Sequence, residues 1–203
     1  MNKPVSIRRS LVVAVAAALP LAFPAAADAQ DWLARVRAVG IYPNVSSSVP
    51  GLDVSNQWIP EVDFSYFFTK NIAAELVLGT ARHEVTLNGT SLGKLSHLPP
   101  TLTVQYHFTD LGAWKPYVGA GLNVTWFYNV GLQLPNGTPL TVDNNSVGGA
   151  VQAGLDYELQ KNWYLNFDVK YLWISTDVKA LGTTVTNLKI DPLLYGIGVG
   201  YRF

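Results

Sequence analysis

From residue 31 onward the chain keeps returning to one pattern: a large apolar side chain at every second position, with small or polar ones between. The final stretch shows it most plainly. Leu193, Tyr195, Ile197, Val199, Tyr201 and Phe203 alternate with Leu194, Gly196, Gly198, Gly200 and Arg202. Successive side chains of a β-strand point to opposite faces, so this alternation predicts a strand with one greasy face and one small or polar face. Seven earlier segments read the same way: Asp31–Ile41, Gln57–Phe68, Ile72–His83, Leu98–Phe108, Pro116–Tyr128, Val147–Gln160 and Trp163–Val178.

The connections alternate in length. Thr69–Asn71, Thr109–Lys115 and Lys161–Asn162 are short, whereas Tyr42–Asn56, Glu84–His97 and Asn129–Ser146 are long and rich in Gly, Asn, Ser and Pro. Lys179–Gly182 reads as the tip of the last hairpin. Short turns on one side and long loops on the other suit an up-and-down barrel that crosses a membrane. Trp58 to Phe68 and Trp163 to Trp173 each span ten residues on the apolar face. At about 3.3 Å per residue and a tilt of about 40°, that is a rise of roughly 25 Å, the height of a lipid-facing band edged by aromatic girdles. Tyr66, Phe68, Tyr106, Phe108, Tyr157, Trp163, Tyr201 and Phe203 fall at the short-turn end; Trp58, Trp126, Tyr171 and Trp173 fall at the other. A soluble barrel would turn these aromatics inward and expose Glu61, Asp63, Asp168 and Lys170; it has no need of aromatics at both strand ends. The expected fold is all-β: an eight-stranded antiparallel up-and-down transmembrane β-barrel.

Composition sharpens this picture. Of 203 residues, 49% are hydrophobic and 14% charged, against about 25% charged in ordinary soluble domains. Yet no apolar run long enough for a helical span, about 20 residues, occurs beyond the N-terminus. Without cysteine, disulfides and thiolate chemistry are excluded, and a net charge of zero gives no support to nucleic-acid binding. At the N-terminus, Lys3, Arg8 and Arg9 precede the apolar stretch Leu11–Phe23 and the small-residue run Ala25–Ala29. This is the layout of a cleaved secretory signal, residues 1–29, followed by one barrel domain, 30–203. Cleavage removes three bases and one acid from 14 of each, leaving 11 and 13. The expected location is the outer membrane of a Gram-negative bacterium, with its lipid as the first partner.

Parity then assigns the lumen. Arg35, Arg37, Glu61, Asp63, Glu75, Asp156, Glu158, Asp168, Lys170 and Arg202 all take the inward side. A barrel of this size is just filled by its own side chains, so these charges must pair, forming an ion lattice in the lower and middle lumen. Higher up, Ile59, Phe127, Leu172 and Ile174 point inward, with Val77 and Leu194 nearer the middle. They outline an apolar funnel beneath the long loops that would admit small apolar solutes and obstruct ions; simple packing of the barrel mouth reads the same residues equally well. Pro99 and Pro100 stand together near the upper end of the fourth segment. Neither can donate to a neighbouring strand, so the wall can be interrupted there, as a bend or as a lateral opening. His83 and His97 fall at or near the outer rim and His107 low in the lumen, too scattered for a metal site. Ser91, His97 and Glu84 share one predicted loop without the spacing of a triad, so neither an enzyme nor a cofactor is expected.

Several stretches resemble the OmpW family of outer-membrane proteins, which includes the AlkL alkane-uptake proteins. They are His97-Leu-Pro-Pro-Thr-Leu102, Lys115-Pro-Tyr-Val-Gly-Ala-Gly-Leu-Asn123, Ala153-Gly-Leu-Asp-Tyr157 followed by Asn162-Trp163, Asp191-Pro192 and Gly200-Tyr-Arg-Phe203, with Asn71-Ile72 and Glu75-Leu76 also fitting. The resemblance implies passive uptake of small hydrophobic molecules through an apolar channel, with exit through the wall rather than into the periplasm. It makes Val77 an inward residue of the channel's constriction. Lys170 departs from the pattern, standing where a bulky aromatic partner is expected. A final strand ending at Phe203 also resembles the one that the outer-membrane assembly machinery reads. The rival reading is a plugged barrel acting as a scaffold, with long loops that bind a partner.

Overall fold

The computed structural model describes residues 32–203. The expected signal segment and the first two residues of the barrel domain lie outside the described residues. The strands in chain order are β1 (Trp32–Tyr42), β2 (Leu52–Val54), β3 (Gln57–Phe67), β4 (Ile72–Gly79), β5 (Ala81–Leu87), β6 (Thr90–Leu98) and β7 (Thr101–His107). They continue as β8 (Trp114–Gln133), β9 (Pro139–Val142), β10 (Asn145–Gln160), β11 (Trp163–Leu172), β12 (Ser175–Ala180), β13 (Thr183–Lys189) and β14 (Leu193–Arg202).

Eight of these close a ring. β1 pairs with β3, then β4, β7, β8, β10, β11 and β14 follow in order, and β14 returns to β1, each pair antiparallel. The alternation sets the register: Val36 lies opposite Val62 and Val199, while Arg37 lies opposite Glu61 and Gly198. Val36, Val104, Leu122, Phe167 and Ile197 are exposed on the outside, and the aromatics gather at both strand ends. At the lower end Trp32 packs on Tyr66, Tyr106 on Phe108, Trp114 on Tyr157 and Trp163 on Tyr201; at the upper end Tyr42 meets Tyr195 and Tyr171 meets Trp173.

The upper side departs from the expectation of irregular loops. Glu84–His97 is not a loop: β5 and β6 pair along their length and turn at Asn88-Gly89, both with positive φ (49° and 80°), the backbone that a two-residue hairpin demands and Asn-Gly supplies. β8 likewise runs on to Gln133 within the supposed loop Asn129–Ser146, and pairs there with β6 and β9. β12 and β13 form the last hairpin, turning at Leu181-Gly182. Together with β2 and β9 these extensions build a β-sheet cap on the barrel.

Inside, glycine makes room for bulk. A Cβ on Gly198 would come within 2.1 Å of the Val36 carbonyl oxygen and 2.7 Å of the Arg37 Cγ, and one on Gly154 would collide with the Tyr117 ring. The small residues of the inward face are therefore the complement of the large polar ones on adjoining strands.

The lipid-facing assignment predicts a depth profile. Phe167→Arg, at mid-strand, should cost about 2–4 kcal/mol, and Trp163→Arg, at the lower girdle, about 1 kcal/mol or less. Reversible urea unfolding in lipid vesicles measures both; equal costs would contradict the placement of the girdle.

Candidate functional site

The lumen has three storeys. Its base is apolar: Leu33, Phe67, Ala73 and Tyr164 form a small buried cluster. Above it lies the ion network. Arg35 grips Asp156 with two hydrogen bonds, Nε to Oδ1 at 3.0 Å and Nη2 to Oδ2 at 2.6 Å, and reaches Asp63 at 2.8 Å and Ser65 at 3.0 Å through Nη1. Arg37 meets Glu61 at 3.0 Å, Asp63 at 2.7 Å and Glu75 at 3.2 Å. Lys170 lies between Glu61 (3.7 Å) and Asp168 (3.5 Å). Five carboxylates thus share three cations, and neutral donors take up part of the excess: the Tyr117 hydroxyl donates to Asp168 at 2.8 Å, Asn166 to Asp156 at 2.8 Å and Gln152 to Glu75 at 2.8 Å. A charge in a poorly hydrated lumen is tolerable only with such multiple partners.

Two residues expected in the lattice stand at the ends of their strands. Glu158 sits at the lower rim, its side chain 34% exposed, and pairs with Lys115 at 3.1 Å. Arg202 stands with its guanidinium 4.1 Å from the centre of the Phe67 ring. Both lie near strand ends, Glu158 where the inward parity opens on the rim and Arg202 over the apolar base. Residues passed over in the sequence are as much a part of the network: Tyr117 stacks on His107 and lies under Arg35, and Asn166 and Gln152 are buried donors. Parity placed them inward; only their lack of charge hid them.

The third storey is apolar. Phe127, Leu172, Ile174 and Leu194 belong to one buried cluster with Val39, Ile41 and cap residues such as Val85, Leu95 and Leu188; Ile59 packs against it. Val77 is also buried. These side chains fill the funnel. Between them lies a cavity of about 20 Å³, lined by Ile59, Val77, His97, Pro99, Lys170 and Leu194 among others, space for a single water. Val77 and Lys170 do face this common space, although the lysine's ammonium turns to the carboxylates.

Beside the cavity the wall is incomplete. β4 pairs with β7 up to Val77 opposite Thr101, and β5 resumes with β6 at Ala81 opposite His97. The register is unbroken across the gap, so Pro99 falls opposite Gly79 and Pro100 opposite Leu78. On the other side of the same strand, pairing with β3 stops at Gly79 opposite Glu61, which puts Pro60 next to Thr80. Toward β8 the wall holds, because the Val124 amide donates to the Pro100 carbonyl at 3.0 Å. The gap is bridged by side chains: the Thr80 hydroxyl donates to the His97 carbonyl at 3.1 Å and meets the Tyr128 hydroxyl.

Of the three histidines, His107 is buried low in the lumen and bonded to Gln105 at 2.8 Å. His83 and His97 come together at the cap, Nε2 to Nε2 at 3.0 Å. Ser91 donates to Glu84 at 2.6 Å, but His97 faces His83 instead of this pair.

The sequence profile of the OmpW family matches residues 27–203. The chain is 50% identical over 190 residues to outer-membrane protein y4mB of Sinorhizobium fredii, covering 88% of this chain and 82% of that one. With outer membrane protein W of Vibrio cholerae it shares 33% identity over 213 residues, covering 94% and 97%. The crystal structure of the outer membrane protein OprG from Pseudomonas aeruginosa superimposes with a TM-score of 0.75 at 29% identity, covering 85% of this chain and 95% of that one.

The network makes unequal demands on its members. Arg37→Ala leaves buried carboxylates facing one another and should cost about 3–5 kcal/mol, whereas Lys115→Ala, in the rim pair, should cost at most about 1 kcal/mol. Urea midpoints in vesicles, followed by tryptophan fluorescence, measure the difference; similar values would mean that the lumen is hydrated and the lattice weak.

Proposed function

Because the chain belongs to the OmpW family of outer-membrane barrels, we propose that it mediates passive uptake of small hydrophobic molecules, which enter the apolar upper lumen and leave sideways into the membrane. The observation that carries this reading is the seam at Gly79-Thr80, unpaired toward Pro99 and Pro100 and next to Pro60, at the height of the apolar storey. In a membrane, unpaired backbone costs several kcal/mol unless something compensates it. Here a few side-chain bonds close the gap where a ladder would otherwise run. Below the cavity, the Arg35 and Arg37 network leaves an apolar solute no favourable route downward, so the seam is its exit.

In this conformation the funnel is packed, so passage requires Phe127, Leu172 and Leu194 to move with the cap. They have no polar partners to lose, and an incoming apolar solute replaces the contacts they give up. Thr80 and Tyr128 act as the latch of the seam. Uptake then proceeds by opening on the outer side and release through the wall, without a standing pore. The packed lumen also favours a second reading, a barrel that serves as scaffold for its cap. Uptake of a panel of apolar solutes by cells with and without the protein separates the two: only the transport reading predicts a difference.

The exit is testable at the seam itself. Replacing Pro99 with Val and Pro100 with Thr supplies two backbone donors and should slow uptake several-fold, while Tyr128→Phe should quicken it. Unchanged uptake in a folded double variant whose seam amides are protected from exchange would sink the lateral exit.

A further inference from the structure

The histidine pair in the cap has its protons placed by its neighbours. His83 Nδ1 lies 2.5 Å from the Ser55 carbonyl oxygen, which can only accept, so His83 carries its hydrogen on Nδ1. Burial holds this imidazole below its ordinary pKa, which keeps the ring neutral. Its Nε2 is then a bare acceptor, and His97 Nε2, 3.0 Å away, must be the donor. A neutral His97 is left with its lone pair on Nδ1. That atom is buried and has no hydrogen-bond partner, in a residue that is 5% exposed. A buried acceptor left unpaired is costly, so a donor has to complete it: a water, for which the cavity has room, or a solute hydroxyl that takes the water's place.

His97 lines the cavity beside the seam. The other polar side chains around that space are engaged: Glu61 by Arg37, Lys170 by Glu61 and Asp168, and the Thr101 hydroxyl by the Pro99 carbonyl at 3.0 Å. The remaining walls, Ile59, Val77, Leu172 and Leu194 among them, are hydrocarbon. Among the described side chains around the space, His97 Nδ1 is the acceptor with no protein partner, in a largely apolar surround.

We propose that this site selects apolar molecules bearing a single hydrogen-bond donor, alcohols being the simplest class, with the hydroxyl donating to His97 Nδ1 and the hydrocarbon lying between the aliphatic walls. This deepens the uptake reading and rests on it. An alkane fits the walls but leaves the nitrogen unpaired. A carboxylate brings no proton to donate and adds a negative charge above the five lumen carboxylates. An alcohol satisfies both requirements.

The test compares uptake of decane, decanol and decanoate by cells carrying the wild-type protein, the His97→Phe variant or neither. The wild type should favour decanol over decane roughly two- to tenfold, the value of one hydrogen bond, and admit decanoate least. His97→Phe, which keeps an aromatic ring but no acceptor, should take up both neutral solutes at the same rate. A second measurement needs no variant: on titrating decanol into nitrogen-15 histidine-labelled wild-type protein in vesicles, the His97 Nδ1 resonance should move in the direction of an accepted hydrogen bond, and decane should leave it in place. A preference that survives in a folded His97→Phe protein, or a resonance indifferent to decanol, would overturn the selection and leave the uptake reading standing. No uptake of any solute above cells lacking the protein would overturn the uptake reading, and the selection with it.

Discussion

Backbone pairing is the constraint on which everything else in this molecule depends. Hydrocarbon offers no partner to a peptide N–H or C=O, so a β-strand can cross it only within a closed ring. Closure forces one inward and one outward face along the whole length of each strand. The outward face must then be greasy from Val36 to Val199, and every polar group has to share the lumen with the others. Glycine on the inward face follows from the same closure: Tyr117 occupies the space a side chain at Gly154 would need, and the Val36 carbonyl together with Arg37 does so at Gly198.

Closure also fixes what the lumen can be. Three cations and five carboxylates crowd its middle, interleaved with amides and hydroxyls that leave few bonds unmade. Such a network is strong evidence of a plug and weak evidence of stability, since the desolvation it demands offsets most of its Coulombic gain. The apolar base and the apolar upper storey gain from burial directly. The barrel is therefore divided by chemistry: a rigid charged floor with an adaptable hydrocarbon chamber above it.

How much of this was legible in the sequence depended on whether parity alone decided the matter. The eight strands, their faces and both girdles follow from alternation, which is why Arg35, Arg37, Asp63 and Lys170 could be placed in one lattice before any contact was known. Parity is silent about height near strand ends, so it cannot tell that Glu158 pairs at the rim with Lys115 or that Arg202 packs on Phe67 at the apolar base. It is silent about which neutral residues act as partners, as Tyr117 and Asn166 do. The cap departs from its sequence reading for another reason. Glu84–His97 contains Asn88-Gly89, the tightest hairpin signal available, and Ala81, His83 and Val85 continue the period of two, but polar surroundings made the stretch look like a loop. The pairing of His83 with His97 could not be read at all, because it depends on the register of that hairpin.

The seam shows how an exception to the governing constraint acquires meaning. Proline is kept out of central strands because it breaks a ladder; here Pro60, Pro99 and Pro100 surround one short piece of backbone at Gly79-Thr80. Side-chain bonds of Thr80 to the His97 carbonyl and to Tyr128 bridge the break. It adjoins the upper of the two apolar storeys of the lumen, above a floor that excludes hydrocarbon. Moving the prolines a few residues lower would set the gap against the Arg37 network, where opening it would expose charge to lipid at great cost. A few residues higher it would lie beyond the upper girdle and face water, where an unpaired amide costs little and an opening serves no apolar solute. Only at this height do the break in the wall and the apolar chamber meet.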